Sequence, residues 1–421
     1  MHPALKALAK SRRTPTPRGL TSVCSAHPLV IRAAIRRGVA TQAPVLIEAT
    51  CNQVNQDGGY TGMSPADFRG LVLTIALEEG MAADRIILGG DHLGPNPWKN
   101  LAPDAAMDKA CTMMRAFVEA GFEKLHLDAS MGCAGEPEAL EDHIVAERAV
   151  RLAAVAEAHA PDATRLAYII GTEVPVPGGA DHVLDTVTPT SANAARATIE
   201  IHRAAFEKAG LSSAFSRVIA AVVQPGVEFG HENVVAYQPD KAAALSAVLN
   251  DYDGLVFEAH STDYQPTEAL SALVRDGYPI LKVGPGLTFA LREALYGLDM
   301  IAGELDPAYG DRPLARTMDD VMTKDPQYWR GHYRGGEQDV QILRRYSYSD
   351  RIRYYWPHTE AQAAIARLTS CLSGKTIPDT LFIQFLPHLP AGINRACVDE
   401  IVICAVDRIL GHYGVATHEC F

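Results

Sequence analysis

Long apolar runs, paired cysteines and excess positive charge are all missing from this sequence. No uninterrupted apolar stretch approaches the roughly 18 residues of a membrane-spanning helix, so no spanning helix is expected. The eight cysteines (Cys24, Cys51, Cys111, Cys133, Cys371, Cys397, Cys404, Cys420) are scattered and form no Cys-x-x-Cys pair. A chain of 421 residues needs no disulfide staples, which points to a reducing, cytoplasmic setting. Lys and Arg total 38 against 50 Asp and Glu, a net charge of −12. That balance argues against nucleic acid or an anionic membrane as partner, because their phosphates must be neutralised by Lys and Arg. Residues 1–18 hold five bases and no acid, without the apolar core of a signal peptide. They read as an amphipathic helix from Pro3 to Arg12 that covers one end of the fold, with an organelle transit peptide as the alternative. Nucleotide signatures are missing too. The lone Gly374-Lys375-Thr376 has Thr369 where a P-loop needs glycine. No Gly-x-Gly-x-x-Gly opens the first helix, and no Gly-x-Ser-x-Gly elbow occurs, so a nucleotide-dependent kinase has little support.

What is present is a repeating unit. Short β-rich apolar runs begin near Leu20, Pro44, Arg85, Phe122, Arg165, Arg217, Leu255 and Pro279. Between them lie stretches of helical period, such as Ser64–Glu79, Ala105–Ala120, Glu138–Ala160 and Ser191–Ala209. Alternating strands and helices imply a parallel sheet with helices outside. Eight such units fit a (β/α)8 TIM barrel over residues 1–303. Residues 304–421 read as a C-terminal extension packed on it. There Tyr309 to Trp356 holds nine aromatics and reads as irregular, and two helices follow, near Glu360–Ser373 and Ala396–His412.

In a parallel barrel, chemistry gathers at the C-terminal strand ends. Polar residues collect there: Glu48, Asp91-His92, Asp128, Glu173, Glu228 with His231, Glu258 with His260, and Lys282. Buried charges at such ends are costly unless paired or bound to something. His92, His231 and His260 are candidate ligands for a zinc-like divalent metal, since three imidazoles with an open position make a catalytic site. The remaining histidines, His126 among them, read as structural. Asp91, Asp128 and Glu173 have the character of acid/base groups. Asp128 and Glu258 could equally orient ligand imidazoles. Ser261, Thr262, Gly284, Gly286 and Thr288 follow strands seven and eight, the usual phosphate position, with Arg351 and Arg353 as a charged clamp.

Several longer motifs resemble the GatZ/KbaZ family. They include Ile47-Glu-Ala-Thr-Cys-Asn-Gln-Val-Asn-Gln56, Leu88-Gly-Gly-Asp-His-Leu-Gly-Pro-Asn96, Val256-Phe-Glu-Ala-His-Ser-Thr-Asp-Tyr264 and Tyr346-Ser-Tyr-Ser-Asp-Arg-Ile-Arg-Tyr-Tyr-Trp356. That family is called the non-catalytic subunit of D-tagatose-1,6-bisphosphate aldolase, and some members act as metal-dependent ketose 4-epimerases. The resemblance implies a fold related to zinc-dependent class II ketose-bisphosphate aldolases. Carried over, it makes Asp91 the proton-transfer acid, His92, His231 and His260 the ligands, Glu173 the strand-five acid and Asp128 the strand-four aspartate. It implies a ketose or ketose-phosphate substrate, with a class II aldolase catalytic subunit or a second copy of the chain as partner.

Overall fold

The computed structural model describes residues 1–171, 187–390 and 392–418. Eight parallel strands close into a barrel: β1 Leu20–Val23, β2 Val45–Thr50, β3 Ile86–Leu93, β4 Lys124–Leu127, β5 Ala167–Ile170, β6 Val218–Val222, β7 Val256–Ala259 and β8 Ile280–Val283. Neighbours in sequence are neighbours in space, and β8 returns to pair with β1. This is the (β/α)8 architecture that the alternation implies.

Strand periodicity divides the interior into layers. Leu20, Leu46, Ile87, Ile169, Ile219, Val256 and Ile280 fill the N-terminal end of the barrel. The helix Pro3–Ser11 lays Leu5 and Leu8 against them and plugs that end. Two residues further along, Leu46 gives way to Glu48, Val256 to Glu258 and Ile280 to Lys282, so the next layer is ionic. Gly89 pairs in register with Glu48, and a Cβ there would lie 2.6 Å from the Glu48 side chain. Glycine therefore lets this carboxylate lie across the barrel axis.

The segment after Tyr309 is more regular than its aromatic composition suggests. It contains the helices Pro313–Lys324 and Glu337–Tyr346, and only the stretch around Arg351–Tyr355 is a tight 3-10 turn. The helix Val398–Thr417 packs on the helices Pro28–Thr41, Thr267–Arg275 and Pro285–Leu305, over the junction where β8 meets β1. Gly19, just before β1, donates its amide to the Thr417 carbonyl at 2.9 Å.

Candidate active site

The C-terminal end of the barrel opens into a cavity of about 140 Å³, walled by Asp91, His92, His260, Lys282, Arg353 and Tyr354 among others. Below it lies the ionic layer. Lys124 Nζ sits 2.5 Å from Glu48 Oε1 and 2.7 Å from Glu258 Oε2. Lys282 Nζ is 3.0 Å from Glu48 Oε2, 3.3 Å from Glu258 Oε1, and pairs with Asp91. Burial opposes charge on both lysines, but the carboxylates outweigh it and raise both above their ordinary values. Burial likewise opposes charge on Asp91, yet His92, Lys282 and His126 hold it well below the usual carboxylate range.

Around Asp91 stand three imidazoles. Ligand-capable atoms of Asp91, His92, His126 and His260 all lie within 4.8 Å of one another. Each ring donates its outer N–H to an acceptor: His92 Nδ1 to Asp128 at 2.7 Å, His126 Nε2 to the Gly171 carbonyl at 2.9 Å, and His260 Nε2 to Glu258 at 3.0 Å. Such bonds fix the tautomer and leave the opposite nitrogen with its lone pair, as in metal centres. On His126 that nitrogen accepts the His92 backbone N–H at 3.3 Å and lies 3.1 Å from Asp91 Oδ1. Two acceptors facing each other are repulsive unless a proton or a cation lies between them. Burial, reinforced by Lys282, pushes His260 down to about 3, so its ring is neutral at neutral pH. Burial also opposes charge on His92, but Asp91 and Asp128 raise it, so a cation would displace a proton there. Three imidazoles beside one another suit zinc or a similar divalent ion.

The backbone is strained at the same places. β3 is bulged between Gly90 and Leu93, and His92 adopts φ +49°. Ser261, next to His260, adopts φ +50°. Left-handed non-glycine residues concentrate at functional sites.

The structure brings two of the three candidate ligand histidines together and sets the third apart. His231 is carried away from the cluster on the turn of a small hairpin, Glu228–Phe229 against Val234–Val235. Its ring contacts Ser349 Oγ and the His332 carbonyl, both at 3.2 Å. His126 takes a place in the cluster instead. Alternation carried the signal: Lys124, His126 and Asp128 fall on one face of β4, the face that points inward.

The anion-binding set is also redistributed. The Gly284 and Gly286 amides both donate to Asp263 Oδ1, at 2.9 and 2.7 Å. Burial raises the Asp263 carboxyl to about 6, with those amides opposing it. The Thr262 hydroxyl is given to the Lys282 carbonyl at 2.5 Å, and the Thr288 hydroxyl to Asp350 at 2.6 Å. Arg351 is buried and donates to the Tyr328 carbonyl at 2.9 Å. Ser261, Gly284 and Arg353 do line the cavity. Arg353 is braced by the Ser349 and Asp350 carbonyls and by Tyr354 Oη at 3.0 Å. Glu173 lies outside the described residues.

Residues 5–418 match the family described as D-tagatose-1,6-bisphosphate aldolase subunit GatZ/KbaZ-like. The chain belongs to that family. A D-tagatose 6-phosphate 4-epimerase from Agrobacterium fabrum (strain C58 / ATCC 33970) is 61% identical over 418 residues, covering 99% of this chain and 98% of that one. The crystal structure of a probable tagatose 6 phosphate kinase from Sinorhizobium meliloti 1021 is similar with a TM-score of 0.88 at 54% identity. It covers 95% of this chain and 100% of that one. Within this GatZ/KbaZ-like chain, Lys375 of Gly374-Lys375-Thr376 is paired with a carboxylate: its Nζ lies 2.8 Å from Asp306.

Proposed function

We propose that this GatZ/KbaZ-like chain is a metal-dependent 4-epimerase of a ketose 6-phosphate of the tagatose type. The observation that carries the reading is the cluster of Asp91, His92, His126 and His260 at the cavity floor. The name of the Agrobacterium fabrum relative supports the substrate class. When bound, a divalent metal, zinc by its donor set, would polarise the C2 carbonyl and offset negative charge that develops as the C3–C4 bond breaks. His92 and His260 would hold it, each oriented by its carboxylate, with His126 beside them. Asp91 accepts the C4 hydroxyl proton during cleavage and returns it when the aldehyde has turned its other face to C3. Lys282, in contact with Asp91, keeps that carboxylate ionised while it is empty of the proton.

The decisive experiment uses the protein alone with zinc or manganese and D-tagatose 6-phosphate, following the configuration at C4 and any triose released. Interconversion with D-fructose 6-phosphate, abolished by chelation, is expected. No turnover, together with stabilisation of a separate class II aldolase, would establish the subunit role that the family description favours. His92→Ala and His260→Ala should each lose bound metal while keeping the far-ultraviolet circular dichroism of the wild type. Metal retained in both variants would remove the cluster from the reading.

Arg353 supplies the charge for the phosphoryl group. Among the described residues, the Lys and Arg side chains lining the cavity are Lys282 and Arg353, and Lys282 is committed to three carboxylates. Arg353→Ala should raise KM for the ketose phosphate by about 10- to 100-fold, the scale of a charge-assisted contact. It should change the constants for free ketoses little; equal effects on both would mean that Arg353 only packs.

A further inference from the structure

We propose that Asp263 is a built-in occupant of the anion site after β8, and that it makes the cavity select ketose monophosphates over bisphosphates. This deepens the epimerase reading and rests on it. Barrels commonly hold a phosphoryl group on the loops after the last two strands and at the following helix N-terminus. Here that helix, Pro285–Leu305, is long, and its positive end faces the cavity through Gly284 and Pro285.

The Gly284, Gly286 and Leu287 amides at this end are already engaged. Pro285 has no N–H, so the turn offers the Gly284 and Gly286 amides, and one oxygen of Asp263 accepts both. The next amide, Leu287, bonds to the Gly284 carbonyl at 3.0 Å. The neighbouring hydroxyls of Thr262 and Thr288 are spent on Lys282 and Asp350. Asp263 is only 3% exposed, yet it contributes to the cavity wall. Glu228, fully buried, is hydrogen-bonded to Ser261 and adds a second carboxyl group on the same side. A phosphoryl group arriving here would meet carboxylates instead of amides. Like charge placed against the wrong ligand is an efficient way to reject it. Arg353, on the aromatic segment, lines the same cavity and would serve a single phosphoryl group.

The test is calorimetric binding to the full chain, with and without divalent metal. The probes are inorganic phosphate, a ketohexose 6-phosphate and the matching 1,6-bisphosphate. Wild type should bind the monophosphate at least about tenfold more tightly than the bisphosphate. Asp263→Ser frees both amides and should narrow that ratio by about tenfold, with a new response to inorganic phosphate. Asp263→Asn keeps an acceptor for the amides but removes the charge, and should narrow the ratio less. Equal wild-type affinity for the two sugar phosphates, or an unchanged ratio in folded Asp263→Ser, would overturn the proposal. Should Asp263→Ser fail to fold, the wild-type ratio and Asp263→Asn decide. Should no sugar phosphate bind to any form, the epimerase reading fails. Inorganic phosphate then still decides the anion site: a response confined to Asp263→Ser supports the proposal, and an equal response in wild type ends it.

Discussion

Asp91→Asn is expected to lower turnover by about 10²- to 10⁴-fold, the usual scale for a lost general acid/base. The substitution keeps the shape of the side chain and removes its basicity. Among the described residues, Asp91 is the one carboxylate that touches Lys282 and His126 and also stands at the cavity wall. Metal content should fall less than in His92→Ala or His260→Ala, because those imidazoles are fixed by Asp128 and Glu258 and not by Asp91. Metal analysis beside steady-state kinetics separates the outcomes. Metal lost together with activity would make Asp91 a ligand first, and full activity would remove it from the mechanism.

Lys124→Met should be the most damaging substitution for stability. Lys124 is fully buried between Glu48 and Glu258, which are fully buried too. Methionine fits the space but leaves two interior carboxylates to share Lys282. Removing one partner from a buried ion network typically costs about 3–5 kcal/mol. Urea unfolding should show that loss, provided the variant is soluble. Adding Glu48→Gln removes one of the surplus charges and should restore part of the stability; a double variant no more stable than the single would argue that packing, not charge, is what Lys124 supplies.

Much of the fold was legible because barrel strands are short apolar runs between helices of clear period. All eight expected strands are present, and the differences are at their ends. β3 runs to Leu93 although Gly89 and Gly90 look like turn residues, because those glycines make room for Glu48 and Leu93 beside them. The site was legible in part. Asp91, His92 and His260 stand together as strand-end residues should. His126 was hidden by its position inside a strand, where a histidine on an apolar background reads as structural. Only the inward alternation with Lys124 and Asp128 distinguishes it. His231 stands apart from the cluster because sequence distance along a loop says nothing about the hairpin that carries it. Glycine-rich turns misled differently: an amide pair looks the same whether a ligand or a side-chain carboxylate will accept from it. Asp263, two residues beyond Ser261, supplies that carboxylate.

The helix Val398–Thr417 lies over the junction of the first and last barrel strands, and Tyr413 reaches from it to the Thr262 carbonyl at 2.7 Å. Synthesis delivers this helix long after β8. A nascent chain therefore carries all eight strands out of the ribosome before the cover for their closing edge exists. During that interval the β1–β8 pairing is exposed to solvent and to other nascent chains, the circumstance in which barrels swap strands or recruit chaperones. The loop that bears His260 is tied to the same late helix, so the candidate metal cluster gains this support only after translation has passed Tyr413.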